Sequence, residues 1–260
     1  MGEMSGYAAG EFCWIELATN DLEAATAYYT TLFGWTIEDQ PAGDAGFYRT
    51  CRVDGKKVLG LFEMDDEEQA LELPHWNSYV SVADVDESAK SAESLGGSVA
   101  MPPFDVMDQG RMAVVQDPSG ARLGLWQAGE SFGAELTNDP GSLTWMELGT
   151  KDSEAARSFY GELFGWESET QDMGGTTYTS FKSGEGYTGG CVEMPAGEDV
   201  WPSWLVYLET DDVDSLVAKS DEMGGYITVP PQDAAEVGRF AILQDPQGAG
   251  FGVLKSAPTA

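Results

Sequence analysis

Apolar and polar positions alternate in short blocks along most of the chain. Trp14-Ile15-Glu16-Leu17-Ala18 has strand periodicity, with Trp14, Glu16 and Ala18 on one side and Ile15 and Leu17 on the other. The strand leads to Asp21 and then to an amphipathic helix ending near Phe33, and Asp21 stands where a carboxylate can accept from the unpaired amides of a first helical turn. The same succession returns over Asn77 to Leu95, with Asp84 at the helix start. Short β-rich runs separated by Gly, Pro and Asp follow each helix: Gly46 to Val53 and Lys57 to Met64 after the first, then Ser98 to Met101, Arg111 to Gln116 and Arg122 to Gln127 after the second. The order is βαβββ, repeated. It predicts an α+β fold and excludes helical bundles and doubly wound parallel sheets.

The pattern then starts again. Trp14-Ile15-Glu16-Leu17 matches Trp145-Met146-Glu147-Leu148, and Leu32-Phe33-Gly34-Trp35 matches Leu163-Phe164-Gly165-Trp166. Trp76 and Tyr79 match Trp204 and Tyr207, and Asp84-Val85-Asp86 matches Asp212-Val213-Asp214. Pro102-Pro103, Gly110-Arg111 and Asp117-Pro118 also recur, as Pro230-Pro231, Gly238-Arg239 and Asp245-Pro246. The chain is therefore a tandem duplication joined near Ala128 to Pro140, with domains expected at 1–129 and 140–260.

This combination resembles the vicinal oxygen chelate superfamily, the group of glyoxalases, bleomycin-resistance proteins and extradiol dioxygenases. Its most specific segment is Ala155 to Trp166, with Phe159-Tyr160 and Leu163-Phe164-Gly165-Trp166. The resemblance implies a tandem pair of glyoxalase-like domains, each of two βαβββ modules curling a mixed sheet around a cavity, as in bacterial or archaeal two-domain glyoxalase-like proteins. It also implies where a metal would be held: His or Glu on the first strand of each module, and Glu on the last strand. Those positions carry Trp14, Asn77 and Gly124 in the first half and Trp145, Leu205 and Gly252 in the second. None is a ligand, and a transition-metal site typically takes three or four imidazole, thiolate or carboxylate donors. With a single histidine, His75, in the chain, no metal and no other cofactor is expected.

Period-two logic places Trp14 and Glu16 on the cavity face with Asn77, Tyr79, Arg122 and Trp126 in the first half. In the second half Trp145, Glu147, Leu205 and Tyr207 share that face with Gly250, Gly252 and Leu254. A buried glutamate is costly unless paired, hydrogen-bonded or protonated, so Glu16 and Glu147 are the sharpest feature. They are either structural, tied to hydroxyls or arginines, or functional, lining the cavity as acid/base groups. Arg122 is the expected charge partner of Glu16. Trp14, Asn77, Tyr79, Arg122, Trp126, Trp145 and Tyr207 are the expected ligand contacts, while Trp35 and Trp166 are expected to anchor the core.

Composition narrows the partners. Asp and Glu number 45 against 13 Lys and Arg, giving a net charge of −32 that repels nucleic acid and anionic membrane surfaces. Charge of that size suits a salt-rich, halophile-like cytoplasm, where screening is strong. Met1 to Gly10 has neither a basic start nor an apolar stretch, so a cytoplasmic location is expected. The 3 cysteines lie far apart in strand-like runs, without a disulfide or zinc-knuckle spacing. Dinucleotide, P-loop and nucleophile-elbow motifs are absent. The missing ligands and the Trp/Tyr cavity face predict metal-independent binding of an aromatic or hydrophobic metabolite, the resemblance to the bleomycin-resistance branch implies a sequestering or resistance role, and a homodimer is allowed. The alternatives are a lyase or isomerase using a pocket glutamate, and a divergent glyoxalase or dioxygenase.

Overall fold

The computed structural model describes residues 2–41, 46–172, 177–194, 201–235 and 237–258. A short strand, β1 (Gly2–Glu3), precedes the first half, which begins with β2 (Phe12–Thr19), α1 (Leu22–Phe33), β3 (Thr36–Pro41), β4 (Phe47–Val53) and β5 (Lys56–Glu63). After the short helix α2 (Asp66–Leu71) come β6 (His75–Ser81), α3 (Val85–Ser94), β7 (Ser98–Val106), β8 (Gly110–Gln116) and β9 (Arg122–Ala128). The join contains β10 (Leu136–Thr137), which pairs with β1. The second half repeats the order with β11 (Leu143–Thr150), α4 (Ser153–Phe164), β12 (Glu167–Asp172), β13 (Thr177–Ser183) and β14 (Gly186–Glu193). It closes with β15 (Ser203–Glu209), α5 (Val213–Glu222), β16 (Tyr226–Ala234), β17 (Gly238–Gln244) and β18 (Gly250–Ser256).

Each half is one 8-stranded mixed sheet, ordered β3-β4-β5-β2-β6-β9-β8-β7 and β12-β13-β14-β11-β15-β18-β17-β16. Two βαβββ modules thus meet at their first strands, which run antiparallel in the middle of the sheet. Glu16 faces Asn77 and Trp14 faces Tyr79 across β2 and β6, while Glu147 faces Leu205 and Trp145 faces Tyr207 across β11 and β15. The alternation of the sequence becomes two faces. Ile15, Leu17, Leu59, Leu61, Leu123 and Leu125 are fully buried, whereas Trp14, Glu16, Phe62, Asn77, Met112 and Trp126 keep part of their surface open.

Local chemistry sets the helices. Asp21 accepts from the Ala24 amide at 2.9 Å and Asp152 from the Ala155 amide at 2.9 Å, each satisfying an amide that the helix cannot. Gly34 and Gly165, both at φ 72°, end α1 and α4 in the left-handed conformation that favours glycine, which turns Trp35 and Trp166 into the interior. Two elements carry little apolar signal, Ile37 being the only apolar side chain of β3 that packs on the core. Strands β3 and β12 are polar edge strands held by their pairing with β4 and β13. The acidic run at Asp65 to Glu68 opens α2 through a capping box between Asp65 and Glu68.

The halves cross over one another. Helix α1 lies against the second half, where Tyr28 Oη and Ser220 Oγ are 2.6 Å apart and Tyr29 donates to Asp245 at 3.1 Å. Helix α4 reciprocates, with Tyr160 donating to Asp117 at 3.0 Å. Trp35 donates to the Gly141 carbonyl at 2.8 Å, and Trp166 to the Gly10 carbonyl at 2.7 Å. Phe12 packs on Trp166 and Trp204, and Tyr29 on Phe251, with centroids 5.7, 5.2 and 5.4 Å apart. An irregularity in the β2 register between Phe12 and Trp14 sends Phe12 into this contact and leaves Trp14 on the open face. Among the described residues, no helix is long and apolar enough to cross a membrane.

Candidate functional site

At the centre of each open face the two middle strands bring together a Trp, a Glu and a Tyr, and strand β4 or β13 adds a second Tyr. In the first half Tyr79 Oη donates to Glu16 Oε1 at 2.6 Å and Tyr48 Oη donates to Glu16 Oε2 at 2.7 Å. The Trp14 indole N–H donates in turn to the Tyr48 oxygen at 2.8 Å. In the second half Tyr207 donates to Glu147 Oε1 at 3.1 Å, and Trp145 to the Tyr178 oxygen at 2.9 Å, with the Tyr178 hydroxyl set against Glu147.

Glycine makes this packing possible. A Cβ on Gly124 would lie 2.2 Å from the Tyr79 ring, and one on Gly60 would lie 1.9 Å from the Tyr48 hydroxyl. The second half repeats both relations, Gly252 with Tyr207 at 2.2 Å and Gly190 with Tyr178 at 2.1 Å. Tyr48 and Tyr178 therefore cross over a glycine on the intervening strand to reach the glutamate, while Tyr79 and Tyr207 reach it from the adjacent strand with their rings packed on a glycine of the strand on their other side.

Electrostatics follow from the geometry. Burial pushes the Glu16 carboxyl above its ordinary value, against the hydrogen bonds from Tyr79 and Tyr48, the nearby Trp14 indole and the more distant His75, which favour the charged form. Burial likewise raises Glu147 against Tyr207 and Tyr178. The tyrosines are held well above their usual value by burial and by the neighbouring carboxylate, so they stay protonated.

One sequence expectation needs correction. Arg122 is not the partner of Glu16: it stands exposed at the start of β9 and its guanidinium bonds Glu72, which also faces His75 Nε2 at 3.6 Å. Strand parity put it on the right face but two residues beyond Gly124, about 6–7 Å along the strand. None of the ion pairs among the described residues reaches Glu16 or Glu147. Trp126 shares the face, yet its indole is committed to the Ser131 carbonyl at 3.0 Å. Asn77 lies beside Glu16 in register, and its amide has no hydrogen-bond partner among the described residues. Tyr48 and Tyr178 are not among the residues that strand parity singles out, although they and the glycines they pack on, Gly60 and Gly190, recur at one offset between the halves. Concavities of about 550 Å³, near Arg52 and Glu135, and about 280 Å³, near Phe33 and Asp212, lie away from the glutamates.

These residues do not fit the metal centre that the family resemblance implies. The Tyr79 ring fills the space in which a carboxylate at position 124 would extend, and the Tyr207 ring does the same at 252. Among the described residues no group of three or more His, Cys, Asp or Glu could hold an ion.

The family model of the Glyoxalase/Bleomycin resistance protein/Dioxygenase superfamily matches residues 12–125 and again 142–253. CFP32 of Mycobacterium bovis, whose name assigns it provisionally to the glyoxylases, is 40% identical over 260 residues, covering 99% of both chains. The anthracycline biosynthesis protein DnrV of Streptomyces peucetius is 34% identical, covering 97% of this chain and 95% of its own. The Mn(II)-bound glyoxalase of Novosphingobium aromaticivorans shares the fold at a TM-score of 0.65 and 15% identity, covering 99% of this chain and 85% of its own. The 2,2',3-trihydroxybiphenyl 1,2-dioxygenase of Sphingomonas wittichii strain RW1 does so at 0.66 and 15%, covering 96% and 91%. With both halves matched, the chain belongs to the glyoxalase, bleomycin-resistance and dioxygenase superfamily, as a tandem α+β member.

Proposed function

We propose that each half binds a planar aromatic or hydrophobic metabolite on its open sheet face without a metal ion, with the Glu-Tyr-Tyr centre as its polar anchor. The observation that carries this reading is the replacement of ligand space by tyrosine. The Tyr79 and Tyr207 rings lie over Gly124 and Gly252, and their hydroxyls are fixed on Glu16 and Glu147. Around that centre the first face offers Trp14, Phe62, Met112, Val114 and Trp126, all partly exposed. Aromatic walls with a few placed polar groups suit planar organic ligands. The name of DnrV, an anthracycline biosynthesis protein, agrees with a polycyclic ligand.

The test is equilibrium binding of a planar aromatic panel to chelator-treated protein. Affinity is expected to be unchanged by the chelator. Binding that appears only after Mn, Ni, Zn or Fe is added overturns the reading.

A second reading rests on the raised Glu16 carboxyl. A glutamate lifted toward neutrality and held beside two tyrosines is equipped to move a proton, so the face could serve a lyase or isomerase step. Product formation from a bound ligand, lost in Glu16→Gln and Glu147→Gln with binding retained, would establish it. Binding with no turnover would leave a sequestering role.

A further inference from the structure

The hydrogen-bonding polarity of the two centres specifies the ligand more narrowly than its shape does. In the first half every hydrogen points inward: Trp14 N–H to Tyr48, Tyr48 O–H to Glu16, and Tyr79 O–H to Glu16. The two hydroxyl hydrogens and the indole hydrogen are thus consumed within the cluster. What remains within the cluster for a ligand is acceptors, the second lone pairs of the Glu16 oxygens and a lone pair on Tyr79, while the neighbouring Asn77 amide adds donors in the first half alone, since Leu205 stands in its place in the second. In the second half Trp145 likewise donates to Tyr178 and Tyr207 to Glu147, with the Tyr178 hydroxyl set near that carboxyl. No cation offsets this, because the ion pairs among the described residues lie elsewhere and Arg122 is held by Glu72.

We infer that the ligand common to both halves is a planar aromatic carrying a neutral or cationic hydrogen-bond donor, a phenolic hydroxyl or an amine, and that aromatic carboxylates and phosphates are rejected. At a pH above the raised carboxyl values, where the glutamates are ionised, a hydroxyl placed against Glu16 or Glu147 completes an unused acceptor with a charge-assisted bond. A methyl ether in the same place leaves two acceptors facing one another, and a carboxylate adds like-charge repulsion in a chain of net charge −32. A site built to pair a substrate donor discriminates strongly against analogues that lack it.

This inference rests on the proposed binding face, and calorimetric titration with 2-naphthol, 2-methoxynaphthalene and 2-naphthoate separates the two. 2-Naphthol is expected to bind at least tenfold more tightly than either analogue. In the double variant Glu16→Gln/Glu147→Gln an amide N–H enters each centre, and the advantage over 2-methoxynaphthalene is expected to shrink to under threefold or invert. The variant's thermal midpoint shows whether it is folded, and the wild-type ranking stands independently of it. Equal binding of 2-naphthol and 2-naphthoate, or a ranking unchanged in a folded double variant, overturns the donor rule while leaving the binding face intact. Failure of all three to bind overturns the binding face itself and the donor rule with it.

Discussion

The two halves keep one centre and differ in everything around it. Trp, Glu, two Tyr and two Gly recur in place, but Asn77 becomes Leu205, Met112 becomes Phe240, Trp126 becomes Leu254 and Arg122 becomes Gly250. The first centre is also the tighter one, since Glu16 receives hydroxyls at 2.6 and 2.7 Å while Glu147 receives Tyr207 at 3.1 Å. What repeats is a self-consistent packing and hydrogen-bonding unit, in which the glycines admit the rings and the rings satisfy the glutamate. What varies is the wall that a ligand would touch, so selectivity can differ between halves built on the same polar anchor.

The largest effects should come from the cross-half contacts, which treat the halves alike. Asp117 accepts the Ser119, Gly120 and Ala121 amides as well as Tyr160, and Asp245 accepts the Gln247 and Ala249 amides as well as Tyr29. Asp117→Ala and Asp245→Ala should each cost about 3 kcal/mol or more in urea unfolding, because several buried groups lose their partner. A cost below about 1 kcal/mol, the range of an ordinary surface change, would show the contact to be incidental.

Next in size, Gly124→Ala and Gly252→Ala force a methyl into the Tyr79 or Tyr207 ring. Each should cost about 1–3 kcal/mol of stability and weaken binding in its own half only. Equal loss in both halves from either change would mean that the centres are coupled. Asn77→Leu copies the second half into the first. Any ligand bound more tightly by the first half through Asn77 should lose about tenfold, or about 1.4 kcal/mol, and the two sites should move closer in affinity. Retained inequality would assign the difference to Met112 or Trp126.

The smallest effect is a pH signature. The folded state raises both glutamates, so it binds more protons than the unfolded chain between the ordinary glutamate value and the raised one. Stability from these groups is complete below the ordinary value and is lost as pH rises through the raised one. Glu16→Gln should therefore match or exceed the wild-type midpoint at pH 7, and the difference should vanish near pH 4. Because Glu16 accepts two close hydroxyls, the sign of the difference between Glu16→Gln and Glu147→Gln tells whether hydrogen bonding or burial dominates.

Much of this architecture is written locally. The helix-capping aspartates, the Leu-Phe-Gly-Trp exits and the repeat itself are short-range signals, and strand parity alone placed Trp14, Glu16, Asn77 and Tyr79 on one face. What parity cannot give is distance. It put Arg122 with Glu16 when Arg122 sits at the strand's end beside Glu72, and it gave no reason to look at Tyr48, which reaches Glu16 over Gly60 from two strands away. The roles of Asp117 and Asp245 were hidden for a related reason. Their turns look self-sufficient, and the tyrosines they hold belong to the other half.

The crossing of α1 and α4 also bears on how such a chain could diversify. Because each half offers the same tyrosine helix and the same aspartate turn, one half on its own carries both sides of the contact and would be satisfied by an identical copy, as in a two-fold dimer. In a pair of identical subunits any substitution appears at both sites at once. Joined through β10, the halves mutate separately while the shared contact holds them together. A gene of this form can therefore change the selectivity of one face without risking the other.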